Sequence, residues 1–178
     1  KTHHLPFKPF TFLENPHLQT ILSGISFSGI SPPTKNQHVT LEDGDILSCE
    51  ASTPPNWNSS QKTVFLIHGL IGSHQSNYMI RVARKIYNSN YKVVRINLRG
   101  CGSGKGLSKK PFHSGNSDDI LRVLQSFKKE TPNSPFILIG FSVGGNLALK
   151  LAGELGKIAK DLLIQTIAVC PPVDLAKC

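Results

Sequence analysis

Residues 140–144, with the sequence GFSVG, carry the side chain best suited to nucleophilic chemistry in this chain. Four apolar residues, 136–139, run directly into this pentapeptide, and a helical pattern follows it. An abrupt strand-to-helix turn can hold a serine on a strained corner with its hydroxyl exposed, while the glycines allow close backbone approach. The N-terminus of the following helix can stabilise developing negative charge. The pattern predicts that Ser142 is a nucleophile; a glycine-rich turn without catalysis is the alternative.

A second motif, HGLIGS at residues 68–73, follows an apolar, β-branched segment at 63–67 that is typical of a buried strand. Where a serine stands on such an elbow, one oxyanion N–H comes from the next residue and another from the loop after the third strand. The candidates are therefore the main-chain N–H groups of Leu70 and Val143. His68 precedes the serine and ends a strand, so we interpret it as a structural histidine that braces the loop.

The sequence pattern does not identify a general base for Ser142. In the architecture of this elbow the histidine follows the serine in the chain, yet no histidine lies between Val143 and Cys178. Asp174 lies after the last predicted strand and is a candidate for the acid that would pair with the base, but we expect a turn or helix-cap residue there. His113 and Asp118 are interpreted as structural, because the sequence does not place either within reach of the hydroxyl.

The glycine-rich residues 99–106, RGCGSGKG, raise the question of phosphate binding. A Walker A loop needs Gly-Lys-Ser/Thr, but Gly106 follows Lys105 here. The dinucleotide pattern G-x-G-x-x-G fails as well, because its third glycine is missing. We therefore expect no nucleotide site and interpret the loop as a flexible rim of the active-site mouth.

Strands and helices alternate along most of the chain. The sequence predicts strands near 39–41, 46–49, 63–67, 92–98, 136–140 and 163–169, helices near 75–89, 116–130 and 143–156, and a short helix at 17–22. Asp43 and Gly44 are a hairpin signal between the first two strands. This order predicts an α/β fold with a mainly parallel sheet and an N-terminal antiparallel hairpin. We divide the chain into an N-terminal extension, 1–36, and one domain, 37–178.

The motifs together resemble the YheT-like branch of the α/β-hydrolase superfamily, which includes bacterial esterase-like proteins and eukaryotic lipid hydrolases. The matching segments are NPHLQT at 15–20, HGL at 68–70, NLRGCG at 97–102, FHSG at 112–115, GFSVGGN at 140–146 and CPPVDL at 170–175. The resemblance covers nearly the whole chain but only about the first half of a family member. It implies an α/β-hydrolase sheet that is truncated after about the sixth strand.

The resemblance also implies hydrolysis of a carboxylic ester, of a small molecule or a lipid, with Ser142 as the nucleophile. The aspartate and histidine of the triad would come from the missing second half, so the chain alone is expected to be nearly inactive. Two alternatives stay open. The chain could be a truncated, non-catalytic product of a split or degenerate gene, or a separately encoded C-terminal half could associate with it.

Composition limits the classes of fold, location and partner that remain open. The chain has 178 residues, 39% of them hydrophobic, which is enough for one domain core. Its four cysteines are widely spaced and form no C-x-x-C pair for zinc or redox chemistry, so we expect no metal and a reducing, cytoplasmic location. We expect no cofactor either. No apolar run reaches the roughly 18 residues that span a bilayer. The net charge of +9 is dispersed without interleaved aromatic residues, so nucleic acid is not an expected partner.

Overall fold

A six-stranded sheet forms the centre of the fold. The structure is a computed structural model that describes residues 9, 11, 14–19 and 29–174. The strands are β1 (Lys35–Thr40), β2 (Ile46–Ser52), β3 (Thr63–Ile67), β4 (Lys92–Ile96), β5 (Phe136–Phe141) and β6 (Leu163–Val169). The helices are α1 (Asn77–Asn88), α2 (Ser117–Glu130), α3 (Val143–Leu155) and the short α4 (Ala159–Leu162), with single 3₁₀ turns at Gly102–Gly104 and Gly156–Ile158. Residues 16–19 are helical, and residues 20–22 of the predicted short helix lie outside the described part.

The strand order is β1-β2-β4-β3-β5-β6, and it confirms the predicted fold class. β1 and β2 pair antiparallel, β2 pairs antiparallel with β4, and β4, β3, β5 and β6 run parallel. The turn between β1 and β2 contains Gly44 at φ +85°, a conformation that glycine adopts without strain. β1 begins at Lys35, four residues before the predicted strand, because its pairing with β2 extends the strand beyond its apolar residues.

Helices cover both faces of the sheet. On one face, α1 packs Met79 and Ala83 against β3 and β4. On the other face, α2 and α3 form the larger core with Phe65 of β3 at its centre, in edge-on contact with Phe127 and Phe136. Parallel strands buried on both faces are near-continuous runs of apolar residues, and β3 has the sequence TVFLI, which is buried throughout. Its one polar residue, Thr63, pairs through its hydroxyl with Ser134 Oγ at 2.8 Å.

The loop after β4 is tied firmly to the antiparallel hairpin. Ser103 Oγ lies 2.7 Å from Ser48 Oγ and donates to Glu50 Oε1 at 2.8 Å. Asn97 Nδ2 donates to both Ser103 Oγ and the Ser48 carbonyl. The interpretation of residues 99–106 as a flexible rim was therefore wrong, because the sequence did not show that β2 would place polar side chains beneath the loop.

Arg99 joins the hairpin to α2 through three carboxylates. Its Nε and Nη2 donate to the two oxygens of Asp119 at 2.6 and 2.7 Å. Its Nη1 donates to Asp43 at 2.8 Å and to Asp45 at 2.7 Å. The guanidinium holds the pKa of Asp43 well below its usual range, and the carboxylates of Asp119 and Asp43 raise the pKa of Arg99. Such a network stabilises the fold only while each carboxylate is ionised.

Replacing Arg99 by methionine is expected to lower the melting temperature near neutral pH by about 5 °C or more, because three carboxylates lose their shared cation. The lowered pKa of Asp43 means that its contribution is present above the ordinary pKa of 3.8 and is lost as pH falls below that value. Thermal unfolding between about pH 2 and pH 7 should therefore show a weaker acid dependence in the variant. An unchanged pH slope would show that the network does not govern acid stability.

Candidate active site

Ser142 stands at the junction of β5 and α3 in a strained conformation. Its φ is +52° and its ψ is −121°, a combination that residues with a side chain rarely adopt. The Ser142 N–H donates to the Val169 carbonyl at 2.9 Å, and the Asn146 N–H donates to the Ser142 carbonyl at 3.1 Å. These bonds hold both peptide groups of a residue that is itself exposed. The strain is maintained by the surrounding structure, as is common where a side chain must be presented for chemistry.

The flanking glycines bring α3 directly onto the strand ends. A Cβ on Gly144 would lie 2.6 Å from the carbonyl oxygens of both Ile67 and His68. A Cβ on Gly140 would overlap the carbonyl group of Gly144. The elbow therefore accepts no side chain at either position, which is the physical reason that the sequence pattern anticipated.

The loop after β3 lies directly beside Ser142. A Cβ on Gly69 would lie 3.1 Å from Ser142 Cβ. The Gly72 N–H donates to the Gly69 carbonyl at 3.1 Å, which closes a tight turn with Ile71 at φ +58°. Leu70 and Ile71 form the tip of this turn and are 68% and 94% exposed. The two motifs singled out in the sequence thus meet at one end of the sheet.

His68 is buried and braces this loop, as predicted. The Leu98 N–H donates to its Nε2 at 3.1 Å, so Nε2 carries no proton and the proton is on Nδ1. Nδ1 then donates to the Gly69 carbonyl at 2.7 Å. Burial lowers the pKa of His68, which favours this neutral form. With both nitrogens engaged, His68 is unavailable as a base for Ser142.

The bonds to the Gly69 carbonyl determine where the Leu70 N–H points. In a trans peptide the C=O and the following N–H point in opposite directions. Because His68 and Gly72 hold the Gly69 carbonyl within the turn, the Leu70 N–H points away from it. Among the described residues neither this N–H nor that of Val143, the first residue of α3, has a hydrogen-bond acceptor. Both N–H groups are free to bind a ligand.

The described histidines do not complete a catalytic pair. No histidine nitrogen in the described part of the chain hydrogen-bonds to Ser142 Oγ. His74 is buried against Asn97 Oδ1 at 3.0 Å, and His113 accepts the Gly115 N–H at 3.1 Å. His38 lies on β1, at the far edge of the sheet from β5. Asp174 is exposed in the stretch that follows β6.

Two supporting residues escaped the sequence analysis. Asn97 accepts the His74 N–H at 2.9 Å and so connects the loop after β3 to the loop after β4. The Tyr78 hydroxyl accepts the Gly69 N–H at 2.9 Å. Asn97 lies within the NLRGCG segment, which marked its position but not its partner. Tyr78 gave no signal, because its contact is with a residue outside its own helix.

A cavity of about 430 Å³ lies away from these groups, between the β1–β2 turn and α2. Its lining includes Asp43, Arg99 and Asp119, whose charges already pair with one another. None of the three predicted site residues lines it. In the described residues no group of three or more His, Cys, Asp or Glu side chains could hold a metal ion.

Comparison with known proteins agrees with the observed fold. Residues 62–174 match the family model described as alpha/beta hydrolase fold, which is well over half of the chain. The chain belongs to the alpha/beta hydrolase fold family. An esterase from Pyrococcus furiosus, Pf2001, superposes with a TM-score of 0.66 at 23% identity over 83% of this chain and 60% of that one. XC6422 from Xanthomonas campestris, described as an a/b serine hydrolase without lid, gives 0.65 at 22% identity, over 83% and 66%.

Sequence relatives within this family confirm the predicted resemblance. The Escherichia coli protein described as "Putative esterase YheT" is 28% identical over 173 residues, which is 97% of this chain and 50% of that protein. The human Phospholipase ABHD3 is 25% identical over 158 residues, 85% of this chain and 38% of that protein. The chain thus spans half or less of the length of these relatives.

Proposed function

We propose that this hydrolase chain carries the nucleophile and the oxyanion hole of a serine-dependent carboxylic-ester hydrolase. The observation that supports it most is the contact between the two motifs, with Gly69 packed against the β-carbon of a strained, exposed Ser142. In this proposal Ser142 is the nucleophile, and the N–H groups of Leu70 and Val143 bind the oxyanion.

The proposed reaction uses these groups in sequence. Ser142 Oγ attacks the ester carbonyl carbon and gives its proton to a histidine base. The carbonyl electron pair moves onto oxygen, where the two N–H groups and the N-terminus of α3 stabilise the charge. The intermediate then expels the alcohol, which takes the proton, and leaves an acyl-serine. A water molecule hydrolyses this ester by the same steps and regenerates Ser142.

The histidine base and its aspartate are proposed to come from outside residues 1–178. No described histidine is hydrogen-bonded to Ser142 Oγ, and the relatives named above are at least about twice as long as the matched region. The same two groups could come from a continuation of the chain or from an associated polypeptide. Residues 1–178 by themselves are expected to hydrolyse esters only very slowly.

The proposed substrate is a carboxylic ester of a small molecule or a lipid. The exposed Leu70 and Ile71 place apolar surface next to the nucleophile, where the organic part of an ester would lie. The relative named Phospholipase ABHD3 supports a lipid ester as one member of this class. The structure has no helix among its described residues that is long and apolar enough to cross a membrane.

The direct test is covalent labelling with a fluorophosphonate probe. In the protein at its full natural length, Ser142 Oγ should attack phosphorus, fluoride should leave and the serine proton should pass to the base. One phosphonyl group per chain is expected, located at Ser142 by peptide mass spectrometry. The isolated chain 1–178 should react at least about 100-fold more slowly, because it lacks the base. Labelling elsewhere, or equally fast labelling of the isolated chain, would contradict the proposal.

A further inference from the structure

The Tyr78 hydroxyl lies against the turn formed by residues 69–72, beside the nucleophile. We propose that Tyr78 is a positioning residue, which holds the Gly69 peptide so that the Leu70 N–H is directed at the developing oxyanion. This inference rests on the proposed function of Ser142 and Leu70. It adds a role for a side chain that neither motif contains.

One side chain contacts both parts of the site. The Tyr78 hydroxyl accepts the Gly69 N–H at 2.9 Å. Its ring lies 5.0 Å from the ring of Phe141, the residue before Ser142, with the two planes tilted by 56°. Tyr78 is the second residue of α1, so its backbone is held by a helix rather than by a loop. Tyr78 therefore connects both the loop after β3 and the strand that leads to Ser142 to one rigid helix, α1.

Gly69 needs such a restraint because its backbone is flexible. Glycine has more conformational freedom than any other residue, and Gly69 directly precedes Leu70, the proposed oxyanion donor. Its carbonyl is held by His68 Nδ1–H and by the Gly72 N–H, and its N–H is held by Tyr78. Both peptide groups of Gly69 are thus restrained from opposite sides. Oxyanion stabilisation depends on donors that are oriented before the reaction begins.

The Tyr78 hydroxyl oxygen also packs closely against the turn formed by residues 69–72. A Cβ on Gly69 would lie 3.6 Å from this oxygen, and a Cβ on Gly72 would lie 3.1 Å from it. The oxygen therefore occupies the space beneath the turn as well as accepting a hydrogen bond. Removal of the oxygen leaves the Gly69 N–H without its acceptor while the ring contact with Phe141 remains.

Tyr78→Phe in the protein at its full natural length is the variant that separates positioning from packing. Its matched control is Tyr87→Phe, near the opposite end of the same helix, where Tyr87 packs against the core of that face. For hydrolysis of a p-nitrophenyl ester, we expect Tyr78→Phe to lower kcat about tenfold and to leave KM within about twofold. Binding of an arylboronic acid, which forms a tetrahedral serine adduct, should weaken by a similar factor.

The control and the nucleophile variant make the outcomes distinct. Tyr87→Phe should match the unmodified protein in kcat and in boronate affinity. If Tyr78→Phe behaves like Tyr87→Phe, or raises KM without changing kcat, Tyr78 is not a positioning residue. If Ser142→Ala, measured alongside, retains hydrolysis, the proposed function itself is wrong. If Ser142→Ala is inactive and Tyr78→Phe is normal, only the inference about Tyr78 fails.

Discussion

Replacing Ser142 by alanine is expected to lower kcat for ester hydrolysis by the full-length protein at least about 10⁴-fold. The reason is that no other group occupies the elbow, so the acyl-serine cannot form. The residual rate would come from the oxyanion donors and from substrate binding, which this substitution leaves in place. Because Ser142 is exposed and its side chain is small, the variant should retain its melting temperature within about 2 °C.

A matched control for this variant is Ser89→Ala. Ser89 is exposed and follows the C-terminus of α1, at the opposite end of the sheet from the elbow. Initial rates with a p-nitrophenyl ester should be unchanged in Ser89→Ala. Hydrolysis by Ser142→Ala within tenfold of the unmodified rate would exclude Ser142 as the nucleophile, provided that both variants remain folded.

Replacing Gly144 by alanine is expected to destabilise the protein by at least about 2 kcal/mol and to abolish labelling of Ser142 by the phosphonate probe. The added methyl carbon would lie 2.6 Å from two backbone oxygens and 2.8 Å from Ile67 Cγ2. Backbone atoms at a strand end cannot withdraw as a flexible side chain can. The start of α3 must therefore shift, and with it the conformation of Ser142. Chemical denaturation measures the first effect and probe labelling the second.

Gly153→Ala is the control within the same helix. Apart from its chain neighbours and the backbone of its own helix, no heavy atom lies within 4 Å of the position that a Gly153 Cβ would take, and Gly153 is exposed. Alanine in a helix interior is favoured over glycine by about 0.5 to 1 kcal/mol, so this variant should be slightly more stable and label normally. If Gly144→Ala proves as stable as Gly153→Ala, the close contact of α3 with the strand ends does not control the elbow.

The elements near the site were predicted well because their signals are local. The run TVFLI is β-branched or apolar at every position, and β3 occupies the predicted residues 63–67. The pentapeptide GFSVG predicted a strand-to-helix junction, and β5 and α3 meet at Ser142. Prediction of β1 was poorer, since Lys35 and Asn36 are polar and extend the strand only through pairing with β2. Pairing between strands is a property of two segments, so one segment alone does not display it.

By itself the sequence determined the order of strands and helices, the identity of the candidate nucleophile and the family. The order of the elements along the chain follows from apolar periodicity, and the candidate nucleophile follows from glycines whose spacing is dictated by one short turn. The family followed from the resemblance of several motifs to those of known hydrolases. Only the tertiary structure decided that Gly69 lies against Ser142, that both nitrogens of His68 are engaged, and that Tyr78 holds the loop. Each of these contacts joins segments that are separate along the chain or in different elements. Their geometry depends on how the sheet and helices pack, because hydrogen-bond partners are selected by distance in space.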